Sequence, residues 1–134
     1  MFFPSGLNDP ATLPTIDQLR SEFDETADDR CGVGFNVVFR GFPNDFVAVV
    51  AQPEEDGRVA HFMVSRPTVH EALWSGLYRI LRRYHFCSFW PAETCPPVIG
   101  REDVILYPEM LETLGPPRLL TSGAELARWV RESD

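Results

Sequence analysis

Three β-prone segments, each closed by a cluster of turn formers, follow one another within the first half of this 134-residue chain. Val33, Phe35, Val37 and Phe39 alternate with small or polar neighbours, the two-residue period of a strand with one buried face. Residues 41–45, with Gly41, Pro43 and Asn44, form a turn signal. Residues 46–51 are almost wholly apolar, the composition of a central strand covered on both faces. Pro53, Glu54, Glu55, Asp56 and Gly57 then make a hairpin loop in which glycine supplies a positive φ. Residues 59–64 complete the set. Links this short leave no room for a crossover helix, so the three strands are expected as an antiparallel meander.

Helical signals flank the meander. Thr15 and Gln18 have capping-box spacing, and Ile16, Leu19 and Phe23 share one face, which predicts a helix over 16–26. Residues 1–13 hold Pro4, Gly6, Asn8, Asp9 and Pro10 without a period, the pattern of an irregular arm. Thr68 and Glu71 make a second capping box. The stripe of Val69, Leu73, Leu77, Ile80 and Tyr84 behind it fits a helix lying across one sheet face. A proline-rich link, a short strand over 104–107, a brief helix over 108–114 and an edge strand at Leu119 and Leu120 follow. A closing helix is capped by Ser122 with Glu125. The expected fold is α+β, a single domain over 1–134 in the order α-β-β-β-α-β-(α)-β-α. Its antiparallel three-stranded meander gains one or two short C-terminal strands, and its helices pack mainly on one face.

Charge narrows the function. The chain has no lysine, so arginine supplies all twelve fixed positive charges against twenty acids, for a net charge of −8. Arginine in place of lysine, with abundant alanine, proline and glycine, is the mark of a GC-rich bacterial or phage genome. Residues 1–57 carry eleven acids against three arginines, while 58–100 carry five arginines against two acids. Such a field repels nucleic acid and anionic membranes and attracts a basic surface. No apolar run approaches a membrane span, and Met1 to Ser5 lack the basic start of a secretory signal. Cys31, Cys87 and Cys95 sit at no disulfide-framework spacing, which points to free thiols in the cytoplasm.

Chemistry-bearing constellations are sparse. His85, Cys87 and Cys95 offer zinc-compatible donors, but the usual close cysteine pair is missing, and no metal or cofactor is expected. Cys31 or Cys87 could pair with His61 or His70 as a nucleophile; the acids around Cys31 would raise its pKa rather than lower it, and a half-buried structural role suits His61. Phosphate-cradling and hydrolase motifs are absent. Over residues 15–85 the element order resembles that of double-stranded RNA-binding domains, in topology alone. Those domains begin their second helix with lysines, where this chain has Thr68, Val69, His70, Glu71 and Ala72, so the resemblance does not extend to RNA contacts.

Two groups stand out as working surfaces. One is acidic: Asp24, Glu25, Asp28 and Asp29, with Glu54, Glu55 and Asp56. The other is the aromatic run of Phe86, Phe89 and Trp90, a composition enriched at interfaces. The resulting expectation is not an enzyme. It is a cytoplasmic acidic inhibitor, a bacterial immunity protein that occludes a basic toxin domain through Asp24, Glu25, Asp28, Asp29, Glu54, Glu55, Asp56, Phe89 and Trp90. The aromatic run would also serve self-association as a homodimer. Alternatives are a phage anti-defence protein that imitates DNA charge, a small metal- or cysteine-dependent hydrolase, and a structural adaptor subunit.

Overall fold

The computed structural model describes residues 2–23, 26–27, 34–39, 42–64, 70–88 and 97–133. Five strands, β1 (Phe2–Pro4), β2 (Thr26–Ala27), β3 (Phe35–Phe39), β4 (Phe42–Val50) and β5 (His61–Val64), form an antiparallel sheet in the order β1-β5-β4-β3-β2. The expected meander is its centre. A smaller sheet joins β6 (Cys87–Ser88), β7 (Val98–Ile99) and β8 (Arg118–Leu119), with β7 and β8 parallel. Among the described residues four helices complete the α+β fold: α1 (Ile16–Arg20), α2 (Glu71–Arg83), α3 (Pro108–Leu114) and α4 (Gly123–Ser133).

The core forms where alternation meets the α2 stripe. Phe35, Val37, Val47, Val49, Phe62 and Val64 point inward and are buried with Leu73, Leu77 and Ile80 of α2 and Leu126 and Trp129 of α4. Among the described residues the opposite sheet face is the more exposed one. Val50 and Met63 are opposed across β4 and β5 and are 44% and 43% exposed. Among the described residues the outward face of the central strand is therefore covered less than its apolar run suggested, with Ala48 half-buried and Val50 exposed. An apolar run alone cannot distinguish a doubly covered strand from one that shows valine to water.

Several boundaries also differ from the expectation. Phe42 to Asp45 belong to β4 rather than to a turn, with a register shift between Val38 and Phe39. The first helix stops at Arg20, because Glu22 N–H bonds to Leu19 C=O and Phe23 N–H to Arg20 C=O, the tighter three-residue turn. This turn sends Phe23 inward against Phe35 at 5.8 Å. Its ring lies so close to α2 that a Cβ at Gly76 would collide with it. At the start of α2, His70 occupies the N-cap and Glu71 opens the helix, whereas Thr68 lies outside the described residues. In α4, Ser122 Oγ accepts from Glu125 N–H as expected, but the Glu125 carboxylate turns to the Thr121 amide and hydroxyl.

The largest correction concerns the expected N-terminal arm. Phe2–Pro4 pairs with β5, and Phe3 stacks on Phe62 at 4.5 Å, which meets Phe86 edge-on at 5.2 Å. Beyond β1, the amides of Ser5, Gly6 and Leu7 donate to the carbonyls of Ala60, His85 and Ile105 at 2.8, 2.9 and 2.6 Å. Pro10–Thr12 then forms a 3₁₀ turn capped by Asp9. Local breakers hid this segment because the partners of Phe2 to Asn8 are distant in sequence.

The strand expected over 104–107 fails for a related reason. Val104 and Leu106 are buried against Cys87 and Ile99, while Ile105 and Tyr107 are 54% and 41% exposed, so the alternation is real. Its backbone partner is largely a side chain. Asn8 Oδ1 accepts from Ile105 N–H at 2.9 Å, and Asn8 Nδ2 donates to Asp103 C=O at 2.8 Å. Phe3→Ala removes a fully buried ring from the stack joining the two sheets, and is expected to cost about 3–5 kcal/mol. Urea unfolding measures this as a lower midpoint at unchanged slope.

Candidate functional site

Glu54, Glu55 and Asp56 lie together on the loop between β4 and β5, and all three are exposed. The loop is tightly held. Glu54 N–H bonds to Arg58 C=O, Gly57 N–H to Glu54 C=O, and Arg58 N–H to the Asp56 carboxylate, at 2.8, 2.9 and 3.0 Å. Gly57 takes φ +82°, the positive angle expected for it. Arg58 bridges to Thr15, and its guanidinium donates to Leu13 C=O at 2.6 Å, while Val59 N–H reaches Pro14 C=O at 2.7 Å. These bonds set the acidic tip beside the start of α1, whose first turn carries the exposed Asp17. The other expected contact residues, Asp24, Glu25, Asp28, Asp29, Phe89 and Trp90, lie outside the described residues. Phe86 is fully buried in the core, so it leaves the proposed aromatic surface.

Among the described residues, the donors considered for metal or nucleophilic chemistry do not converge. Cys87 is buried, with Sγ 3.7 Å from Pro4 C=O and 3.9 Å from Met110 Sδ. Burial pushes its thiol up to about 12, the opposite of what a nucleophile or zinc ligand needs. Cys31 and Cys95 lie outside the described residues, among which no group of three potential metal ligands comes together. His61 is exposed on the outward sheet face rather than half-buried, stacked parallel to Phe2 with centroids 6.4 Å apart.

His85 instead organises a polar node with no sequence forewarning. Its Nδ1 faces Thr12 Oγ1 at 3.2 Å and its Nε2 faces Asp103 Oδ2 at 3.1 Å. Arg101 grips both oxygens of Asp103 at 2.6 and 2.9 Å and donates to Arg83 C=O at 2.7 Å, at the end of α2. Hydroxyl, imidazole and carboxylate in line resemble a nucleophilic relay. However, Thr12 Oγ1 also donates to Asp9 C=O at 2.7 Å, the shorter of its two contacts, which ties the hydroxyl to its own turn, and the donor and acceptor roles at His85 Nδ1 follow the tautomer of the ring. Arg101 and Asp103 stand two residues apart, but nothing in the sequence ties residue 12 to 85 or 85 to 103.

Hydrogen bonds from Arg101, and next from His85, hold the Asp103 carboxyl at about 2 against an ordinary 3.8. A carboxyl lowered in the folded state contributes stability that is complete above its unfolded pKa and lost as pH falls through the folded one. Asp103→Asn is therefore expected to lower the melting temperature at neutral pH and to flatten its fall between about pH 4 and pH 2. Equal slopes for variant and parent in scanning calorimetry would contradict this. No family model, curated protein or solved structure matches this chain.

Proposed function

We propose that this chain is a small acidic inhibitor rather than an enzyme, acting in the cytoplasm as a bacterial immunity protein that occludes a basic toxin domain. The observation that carries the reading is the Glu54, Glu55 and Asp56 tip, exposed and yet fixed by backbone bonds and by Arg58. An ordered loop has little conformational freedom left to lose on docking, so more of the contact energy remains as affinity. The net charge of −8 adds a long-range field that speeds encounter with a cationic partner and rejects anionic ones. Toxin domains that act on nucleic acids need cationic surfaces to hold phosphates, and a carboxylate tip competes for those same arginines and lysines. Among the described residues no helix is long and apolar enough to cross a membrane.

Titration of ¹⁵N-labelled protein with an oligoarginine peptide tests where a cationic partner lands. Amide shifts are expected to concentrate at residues 54–58 and around Asp17, and to shrink steeply with added salt. Glu54 and Glu55 carry no capping bond from their side chains among the described contacts, so Glu54→Arg with Glu55→Arg leaves the loop intact. This double variant is expected to slow association about tenfold at low salt, with dissociation little changed. Shifts spread evenly over the surface, or a rate indifferent to the substitutions, would remove the acidic tip from the account.

A further inference from the structure

Although the molecule is strongly acidic, the solvent-facing flank of α2 is not. It presents Arg79, Arg82 and Arg83. A cleft of about 540 Å³ opens between this flank, the turn after β7 and the stretch running from β8 into α4. Gly100 permits the narrow join, since a Cβ there would lie 2.6 Å from the Leu81 carbonyl carbon. Tyr78, Leu119 and Leu120 supply apolar wall, with Leu119 left 40% exposed. Arg82 extends from this cleft to a second hollow of about 250 Å³, which it shares with Glu22, Arg79 and Arg83.

Charge pairing around the cleft is uneven. Arg79 donates to Glu22 C=O at 2.9 Å, Arg83 lies 3.4 Å from the buried Glu22 carboxylate, and Arg101 is committed to Asp103. Arg82 is different: among the described residues its guanidinium makes no hydrogen bond or ion pair, and the residue lines both hollows. A guanidinium with no partner among the described residues, beside a half-buried tyrosine and an exposed leucine, is the combination of a few polar anchors on an apolar wall that small-molecule sites use. Its planar fork matches a carboxylate in two parallel bonds. Exposed Glu102 on the same cleft disfavours a second negative charge on the ligand. From this juxtaposition we infer that the cleft between α2 and β8 binds a small organic monocarboxylate, with its carboxylate on Arg82 and its apolar body against Tyr78 and Leu119.

Amide shifts of labelled protein titrated with benzoate read the site directly. Expected are saturable shifts confined to residues 78–82, 100–103 and 119–121, with a dissociation constant on the order of 1 mM for so small a ligand. Acetate, which lacks the apolar body, should bind at least about tenfold more weakly. Arg82→Gln should weaken benzoate about tenfold, while Arg131→Gln on α4 leaves it unchanged. Leu119→Glu gives an independent check by setting a carboxylate against the ligand, and should also abolish saturation. Failure of benzoate to saturate, or equal binding by parent and Arg82→Gln, overturns the site. Tighter binding of phenyl phosphate than of benzoate overturns the monocarboxylate assignment.

Discussion

Three consecutive backbone amides, those of Ser5, Gly6 and Leu7, donate to carbonyls of three segments that are far apart in sequence: Ala60 before β5, His85 after α2, and Ile105 before α3. The larger and smaller sheets meet along this seam, where Ser5 also bridges to Phe86. Each bond in water is worth only about 1 kcal/mol net. Their importance lies in what they align, because the seam seats Phe3 on Phe62 and Phe62 against Phe86. Those rings sit in the same core as the inner sheet face and α2. Without the seam, the smaller sheet would have few strands and little apolar surface of its own, and two-residue strands do not persist alone.

The same early segment sets the candidate surfaces. Asn8 stands in for a strand partner to the backbone at Asp103 and Ile105, and Thr12 meets His85. Leu13 and Pro14 receive Arg58 and Val59. Thus the acidic loop after β4 and the Arg101–Asp103 fork beneath the α2 cleft are both tied to residues 2–15. Their charges are opposite in use. Glu54, Glu55 and Asp56 extend a negative tip toward solvent, while Arg79 and Arg83 of α2 are absorbed by Glu22 and Arg82 has no such partner among the described residues.

The sequence was most informative where the physics is local. Alternation located the inward face of β3, the stripe of Leu73, Leu77 and Ile80 located α2, and Pro108–Leu114 forms the short helix expected there. Thr15 and Gln18 form the full capping box. Readings went astray where a distant partner decided the outcome. Phe2–Pro4 is too short to show a period, and only β5 makes it a strand. Residues 104–107 show the right alternation, but an asparagine side chain fills the place of a neighbouring strand. The acidic tip was legible because turn chemistry is local. The Thr12, His85 and Asp103 node was not, since a hydroxyl, an imidazole and a carboxylate separated by whole elements leave no spacing to detect.

Native-state hydrogen exchange at Ser5, Gly6 and Leu7 addresses the seam most directly. If these bonds join the two sheets, the three amides should open only with the whole domain and exchange as slowly as the central strand β4. Exchange at the rate of a fraying chain end, orders of magnitude faster than β4, would show that the sheets hold together without them.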